Sequence, residues 1–157
     1  LHGQGMSEDP IMGSAWYRLA AERGAPEFVE VRNKLLESMN EEDLLRSDER
    51  YIELRHKYGD LALALGHLRH ERGEMGQGST GSRLTGGSSP VTIVDPRSGK
   101  PMTRDAYVAR IERRMQVRVD FITEKMGIPE VEARMTDHEF EEFVDQVRDF
   151  LNVIDDR

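Results

Sequence analysis

The residues best suited to chemistry by type and spacing are His67, His70 and Glu71, which lie within one turn of a predicted helix. Facing imidazoles can bind zinc, and a neighbouring glutamate can act as a general base, as in metal-dependent hydrolases. In the metalloprotease motif, however, the histidines are four residues apart and the glutamate directly follows the first. Because this order differs and the sequence offers no third ligand, the simpler interpretation is a solvated helix end. A small metal-dependent hydrolase is kept as the alternative.

A glycine-rich stretch provides a second suggestive spacing, Gly76-x-Gly78-x-x-Gly81, which is that of a dinucleotide-binding fingerprint. That fingerprint requires a strand before the glycines and a helix after them, and neither is predicted here. The surrounding serines and glycines predict a flexible linker instead, and no cofactor. Within this linker, Arg83 is a candidate for contacting an anion or a protein partner.

Clustered carboxylates are the third candidate for chemistry, either as catalytic pairs or as calcium ligands. The clusters lie at predicted helix starts or on charged helix faces, where acids interact favourably with the positive end of the helix dipole. The stretch from Asp137 to Glu142 lacks the glycine and the oxygen-ligand spacing of a calcium loop. We therefore predict no catalytic residue and no metal site.

The composition restricts the class of partner. The 157 residues carry a formal net charge of −8, which argues against nucleic acid or an anionic membrane surface as the main partner. No apolar run approaches the length of a membrane span. Cysteine is absent, so no disulfide or thiolate metal site can form, and cysteine usage does not decide the compartment.

Trp16 and Tyr17 belong to a longer pattern in the first quarter of the chain. It reads Gly3-x-Gly5-Met6-x-x-Asp9, followed by Trp16-Tyr17-x-x-Ala20-Ala21-x-x-Gly24. This pattern resembles the second half of a Sel-one-like repeat, a bacterial-type relative of the tetratricopeptide repeat, with Met6 in place of the usual valine. The resemblance implies antiparallel helix pairs stacked into a solenoid that binds other proteins, and it implies no catalytic residue.

The resemblance also bears on the two aromatic residues and on the start of the chain. Because the Trp-Tyr pair of such repeats packs between helices, we expect Trp16 in the core and keep Tyr17 as a candidate partner-binding residue. The chain begins at the turn that joins two helices of a repeat. We therefore expect it to be the C-terminal part of a longer repeat protein.

Apolar periodicity and capping residues predict four helices in the first half, over 9–24, 26–39, 40–58 and 61–72. Asp9 and Asn40 are the predicted N-caps, and Gly59-Asp60 separates the third helix from the fourth. The expected buried residues of the second helix are Phe28, Val31, Leu35 and Met39. Those of the third are Leu44, Leu45, Tyr51, Ile52, Leu54 and Tyr58.

The second half begins with a predicted linker over 73–90 and a hairpin with strands at 91–94 and 100–102. Thr103 then caps a helix that ends at Gly127, and Thr136 with Glu139 forms a capping box before a last helix. The two helices are expected to pack antiparallel. Their expected buried residues are Val108, Ile111, Met115, Val119, Ile122 and Met126, then Phe140, Phe143, Val144, Val147, Phe150, Leu151 and Ile154.

Taken together, the sequence predicts a mainly α chain with three parts. A terminal repeat and helical cap occupy 1–72, a linker 73–90, and a hairpin with two helices 91–157. The favoured function is a non-enzymatic scaffold for protein–protein interaction, whose partner is a protein of unknown identity. A structural or regulatory domain of a larger enzyme is the other alternative besides the hydrolase.

Overall fold

The computed structural model describes residues 8–77, 92–94 and 98–155, and within these ranges the chain is mainly α-helical, as predicted. The elements in chain order are α1 (Pro10–Ala21), α2 (Pro26–Glu37), α3 (Glu41–Tyr58), α4 (Asp60–Gln77), β1 (Thr92–Val94), β2 (Pro101–Thr103), α5 (Arg104–Met126) and α6 (Asp137–Asp155). Contacts divide the chain into two compact units. Unit 1 ends at Leu63 and unit 2 begins at Ala64, so the boundary lies within α4.

The predicted N-caps form the expected local hydrogen bonds. The side chains of Asp9, Asn40 and Thr103 accept from backbone N–H groups three residues further on, at 2.9, 2.9 and 3.2 Å. Thr136 and Glu139 form the predicted capping box: the Thr136 N–H donates to the Glu139 carboxylate at 2.7 Å, and the Glu139 N–H donates to the Thr136 hydroxyl at 3.3 Å. Each pair occupies backbone donors that a helix start leaves unpaired.

Two glycines end helices for different reasons. Gly127 follows α5 with φ of +66°, a left-handed conformation that glycine adopts without a steric penalty. Gly59 separates α3 from α4, and a Cβ atom there would lie 2.5 Å from the Arg55 carbonyl oxygen. The predicted break at Gly59-Asp60 is therefore confirmed, and its glycine is required by close approach of the backbone.

Helix α4 is longer than predicted, because it continues through Gln77 where the sequence predicts the start of a linker. Ion pairs within unit 2 explain the extension. Glu71 and Glu74 pair with arginines of α5, and the Arg72 guanidinium donates to Asp137 at 2.7 Å. These contacts outweigh the weak helix propensity of Gly73. The rest of the predicted linker, residues 78–90, lies outside the described residues.

In unit 1, α1 contacts both α2 and α3. Its buried residues are small: Ser14, Ala15 and Ala21. The Ser14 and Ser47 hydroxyl oxygens are 2.6 Å apart across the contact between α1 and α3, and both serines are fully buried. Small side chains allow two helix backbones to approach closely, so α1 and α3 are joined by close packing with little apolar volume.

The predicted buried stripes of unit 1 are wrong at several large residues. Helix α2, all of which is described, contains no buried residue, and Phe28 is 40% exposed. Leu45 is 61% exposed and Tyr58 40% exposed, whereas Leu54 is buried as predicted. For α2, the physical reason is that α1 is the one helix of this unit with which it makes extensive contacts. The apolar stripe of α2 is therefore only half covered.

Unit 2 has the larger apolar core. Helix α5 buries Ile111, Met115, Val119 and Ile122, as its spacing predicts, and α6 contacts it. The buried residues of α6 are Phe140, Phe143, Val144, Val147 and Leu151, while Phe150 is half-buried and the Ile154 side chain lies outside the described residues. Strands β1 and β2 pair antiparallel with Ile93 opposite Met102. Of the predicted turn between them, Gly99 has the expected positive φ of +65°, and residues 95–97 are not among those described.

Candidate protein-binding surfaces

A groove on unit 1 is surrounded by aromatic side chains, and we call it the aromatic groove. Its volume is about 300 Å³. Helix α1 provides one wall, and the residues around the junction of α3 with α4 provide the other. The lining residues are Trp16, Leu19, Ala20, Glu22, Arg23, Phe28, Tyr58, Gly59 and Asp60.

Trp16 is 44% exposed at this groove, so the expectation that it lies in the core is wrong. Its ring packs on that of Tyr58, with centroids 5.3 Å apart and planes inclined by 36°. Tyr58 covers one part of the indole and leaves the rest open to solvent. The buried positions of α1 are instead taken by the small residues that bring α3 close. Two large aromatic residues are thus fixed in orientation and remain accessible.

Tyr17, the sequence-predicted contact residue, is half-buried and does not line the aromatic groove. Its ring lies 6.4 Å from that of Phe28, with planes inclined by 53°. Tyr17 therefore contacts Phe28, and Phe28 lines the groove. The role predicted for Tyr17 in partner binding stays a prediction, and Arg83 lies outside the described residues.

The charged groups beside the aromatic groove are paired within unit 1. The Arg23 guanidinium donates two hydrogen bonds to the Asp60 carboxylate, one of them at 3.0 Å from Nε. Glu22 accepts from the Tyr51 hydroxyl at 2.7 Å and pairs with Arg55 at 3.0 Å. Burial and the hydrogen bond to Glu22 raise the pKa of Tyr51 to about 12. These pairs hold α1 to α3 and α4 at the groove edge and place its polar groups around an aromatic centre.

The alternative catalytic set is not brought together. His67 and His70 are exposed, and the His70 Nε2 atom lies 3.8 Å from a Glu74 carboxylate oxygen. Glu71 is only 3% exposed. Its carboxylate accepts from Arg118 at 2.9 and 3.2 Å, which occupies both oxygens that a general base would use. The described residues contain no group of three or more His, Cys, Asp or Glu side chains that could hold a metal ion.

Unit 2 carries a second groove, of about 490 Å³, along one face of α5. Its lining residues are Arg110, Arg113, Arg114, Val117 and Arg118, and we call it the arginine groove. Two of these arginines, Arg114 and Arg118, pair with Glu71 at 3.5 and 2.9 Å, and Arg114 also reaches Glu74 at 3.3 Å. The groove thus combines guanidinium donors with an exposed apolar side chain at Val117.

Sequence reasoning missed Tyr58 and Phe28 as surface residues because their spacing also fits a buried stripe. The sequence of α2 did carry a signal of exposure: charged residues alternate closely with the apolar ones, so the helix has a single narrow apolar face to bury. The arginine groove also has a signal, since Arg110, Arg114 and Arg118 recur every four residues and so share one face of a helix. Spacing within α5 could not predict that Arg114 and Arg118 pair with Glu71.

Among the described residues, no helix combines the length and the apolar character needed to cross a membrane. Comparison of the chain with protein-family models, with curated proteins and with solved structures finds no match.

Proposed function

We propose that the chain is a non-enzymatic protein–protein interaction scaffold and that the aromatic groove of unit 1 binds a segment of a partner protein. One observation carries this proposal: Trp16, Tyr58 and Phe28 surround a single groove and each keeps 40–44% of its surface exposed. Tryptophan and tyrosine are the side chains that most often dominate interface energetics, because they bury a large area at a small entropic cost.

The pairing of the groove residues supports the same function. Trp16 is held by Tyr58 and Phe28 by Tyr17, so both exposed rings are fixed before any partner arrives. A surface that is already ordered loses less conformational entropy on binding. The neighbouring charges of Arg23 and Asp60 satisfy each other, which leaves apolar contact as the main attraction. The occupant we expect is a short, apolar segment of another protein.

The Sel-one-like resemblance is part of the proposal. In this interpretation α1 is the second helix of the last repeat, and α2 and α3 form its cap. What supports it is that α1 contacts both neighbours, as stacked helix pairs do, and that it meets α3 through the small residue Ser14. The shallow burial of unit 1 also fits an end that other repeats would cover.

The binding proposal can be tested with peptides selected from a random phage-displayed library on the immobilised protein. Trp16 is the single tryptophan of the chain, so its fluorescence reports directly on the groove. We expect a selected peptide to shift the tryptophan emission to shorter wavelength on binding. The variants Tyr58→Ala and Phe28→Ala should each weaken the peptide by about tenfold, as expected when an interface anchor is truncated.

Leu45→Ala is the matched control, because Leu45 is an exposed apolar residue of α3 that does not line the groove. It should leave peptide affinity unchanged. Circular dichroism must show that all variants retain their helical content. If selected peptides bind equally well to the Tyr58→Ala, Phe28→Ala and Leu45→Ala variants, the aromatic groove is not the binding surface.

A further inference from the structure

The arginine groove of unit 2 has a chemistry that the aromatic groove lacks. Four of its five lining residues are arginines, on a chain whose overall formal charge is −8. Clustered guanidinium groups place positive charge on this face of α5, and the part that Glu71 and Glu74 do not offset can attract an anionic group.

The chain itself shows which anion the groove can recognise. Arg118 donates to both oxygens of the Glu71 carboxylate, at 2.9 and 3.2 Å, in the two-bond geometry that guanidinium and carboxylate groups share. Because Glu71 is buried, its two hydrogen bonds restrain Arg118, and Arg114 lies within ion-pair distance of it at 3.5 Å. The guanidinium groups are thereby oriented without a ligand, which lowers the entropic cost of binding one.

Arg113 provides binding capacity beyond these internal pairs. Its Nε donates to the backbone carbonyl of Ala109 at 3.2 Å, and no carboxylate of the described residues pairs with it. Its side chain is exposed, so its remaining N–H groups can donate to a ligand. An exposed guanidinium anchored through Nε presents its other edge in a defined direction, which suits an incoming carboxylate.

Val117 distinguishes a protein segment from a simple anion. It lies among the arginines and is 68% exposed, more than any other large apolar residue among those described. A free anion gains nothing from an exposed valine, whereas a peptide can place an apolar side chain on it. Nucleic acid fits less well, because a duplex needs several phosphate contacts and Arg114 and Arg118 already pair with Glu71 or Glu74, whereas the acidic segment needs only the Arg113 guanidinium.

We propose that the arginine groove binds an acidic segment of a partner protein, with one partner carboxylate on Arg113 and an adjacent apolar side chain on Val117. This site lies in unit 2 and does not depend on the aromatic groove. It adds a charge-selective contact to a chain whose first proposed contact is apolar.

The probe is a fluorescein-labelled peptide in which four glutamates surround one leucine, measured by fluorescence anisotropy against the full chain. We expect saturable binding that weakens as the salt concentration rises from about 0.05 M to about 0.3 M, because exposed ion pairs are screened. The variant Arg113→Gln should weaken binding by about tenfold, as expected for loss of a hydrogen bond between charged groups. Val117→Ser should also weaken it, by a smaller factor.

Arg104→Gln is the matched control, since Arg104 is an exposed arginine of α5 outside the groove and its loss changes the net charge equally. It should keep the affinity of the unaltered chain, and the melting temperatures of all three variants should match. Peptides with glutamine for glutamate, or glycine for leucine, should bind more weakly.

Several results would overturn the proposal. One is the absence of saturable binding, and another is equal weakening by Arg113→Gln and Arg104→Gln, which would indicate a non-specific charge effect. If inorganic phosphate displaces the peptide at equal concentration, the site takes a small anion instead. Tighter binding of duplex DNA than of the peptide would likewise replace the protein partner by nucleic acid.

Discussion

The two units of the chain differ in what their helices bury. Among the described residues, unit 1 has three buried apolar side chains, Ala15, Ala21 and Leu54, and two of them are alanines. Unit 2 has fourteen, including Ile111, Met115, Val119, Phe140 and Phe143. The hydrophobic contribution to stability scales with the apolar area removed from water, so unit 2 should account for most of it.

Both units have polar pairs between their helices, such as Glu71 with Arg118 in unit 2, but unit 1 buries few apolar side chains beside them. Arg18 pairs with Asp48, and its guanidinium lies 4.4 Å from the centre of the Tyr51 ring. Tyr51 in turn donates to Glu22, and the buried serines join α1 to α3. The strength of such polar contacts depends on the direction and position of the two groups more than on the volume that they bury. Unit 1 can therefore hold its helices in register while its large aromatic residues remain at the surface.

The largest effect should come from truncating a core residue of unit 2. Phe143→Ala removes a buried ring and should lower the free energy of unfolding by about 3–5 kcal/mol, through lost burial and the cavity that remains. Phe28→Ala in unit 1 removes a ring that is 40% exposed and should cost about 1 kcal/mol. Urea unfolding followed by circular dichroism measures both. Equal losses would show that the two units do not differ in the way their burial indicates.

The sequence predicted the local features of this fold well, and the reason is physical. Asp9, Asn40 and Thr103 cap helices through bonds to residues three positions away, so the cap needs no information about the rest of the chain. The buried stripe of α5 is equally predictable, because Ile111, Met115 and Val119 repeat at helical spacing.

The sequence did not reveal which residues far apart in the chain contact each other. Glu71 meets Arg118 across 47 positions, and this pair occupies the carboxylate that a catalytic base would need. Trp16 has the same helical spacing whether it faces a core or a groove. Its exposure depends on the position of Tyr58, which periodicity within α1 does not specify.

A smaller effect should come from the serine pair that joins α1 and α3. The Ser14 hydroxyl donates to the Ile11 carbonyl at 2.8 Å, so the Ser47 hydroxyl must donate to Ser14. Ser14→Ala leaves a buried Ser47 donor without its acceptor and should cost about 1–2 kcal/mol. Ser47→Ala leaves Ser14 bonded to Ile11 and should cost less.

A double-mutant cycle on these serines, measured by urea unfolding, separates the pair from its surroundings. The double variant should lose less stability than the sum of the single variants, because two missing hydroxyls leave no unpaired donor. Strict additivity would mean that the 2.6 Å contact makes no net contribution.

The smallest effect concerns pH and belongs to unit 1 alone. The folded chain raises the pKa of Tyr51 from 10.0 to about 12, mainly through burial and then through the hydrogen bond to Glu22. A tyrosine with a raised pKa binds its proton more tightly when folded, so its stabilising contribution is complete below pH 10.0 and is lost as the pH rises towards about 12. Because the ring is only half-buried, solvent screening reduces this contribution to about 1 kcal/mol.

Tyr51→Phe isolates that contribution, since it removes the titrating hydroxyl and keeps the ring under Arg18. The unaltered chain should be more stable than the variant at neutral pH, and the difference should shrink between pH 10.0 and about 12. Thermal unfolding of both proteins across this range provides the measurement. A difference that stays constant would mean that the Tyr51 hydroxyl titrates as it does in the unfolded chain. The polar link between α1 and α3 would then be looser than the 2.7 Å bond to Glu22 indicates, and the polar contacts that compensate for the small apolar core of unit 1 would be the serine pair and the surface ion pairs alone.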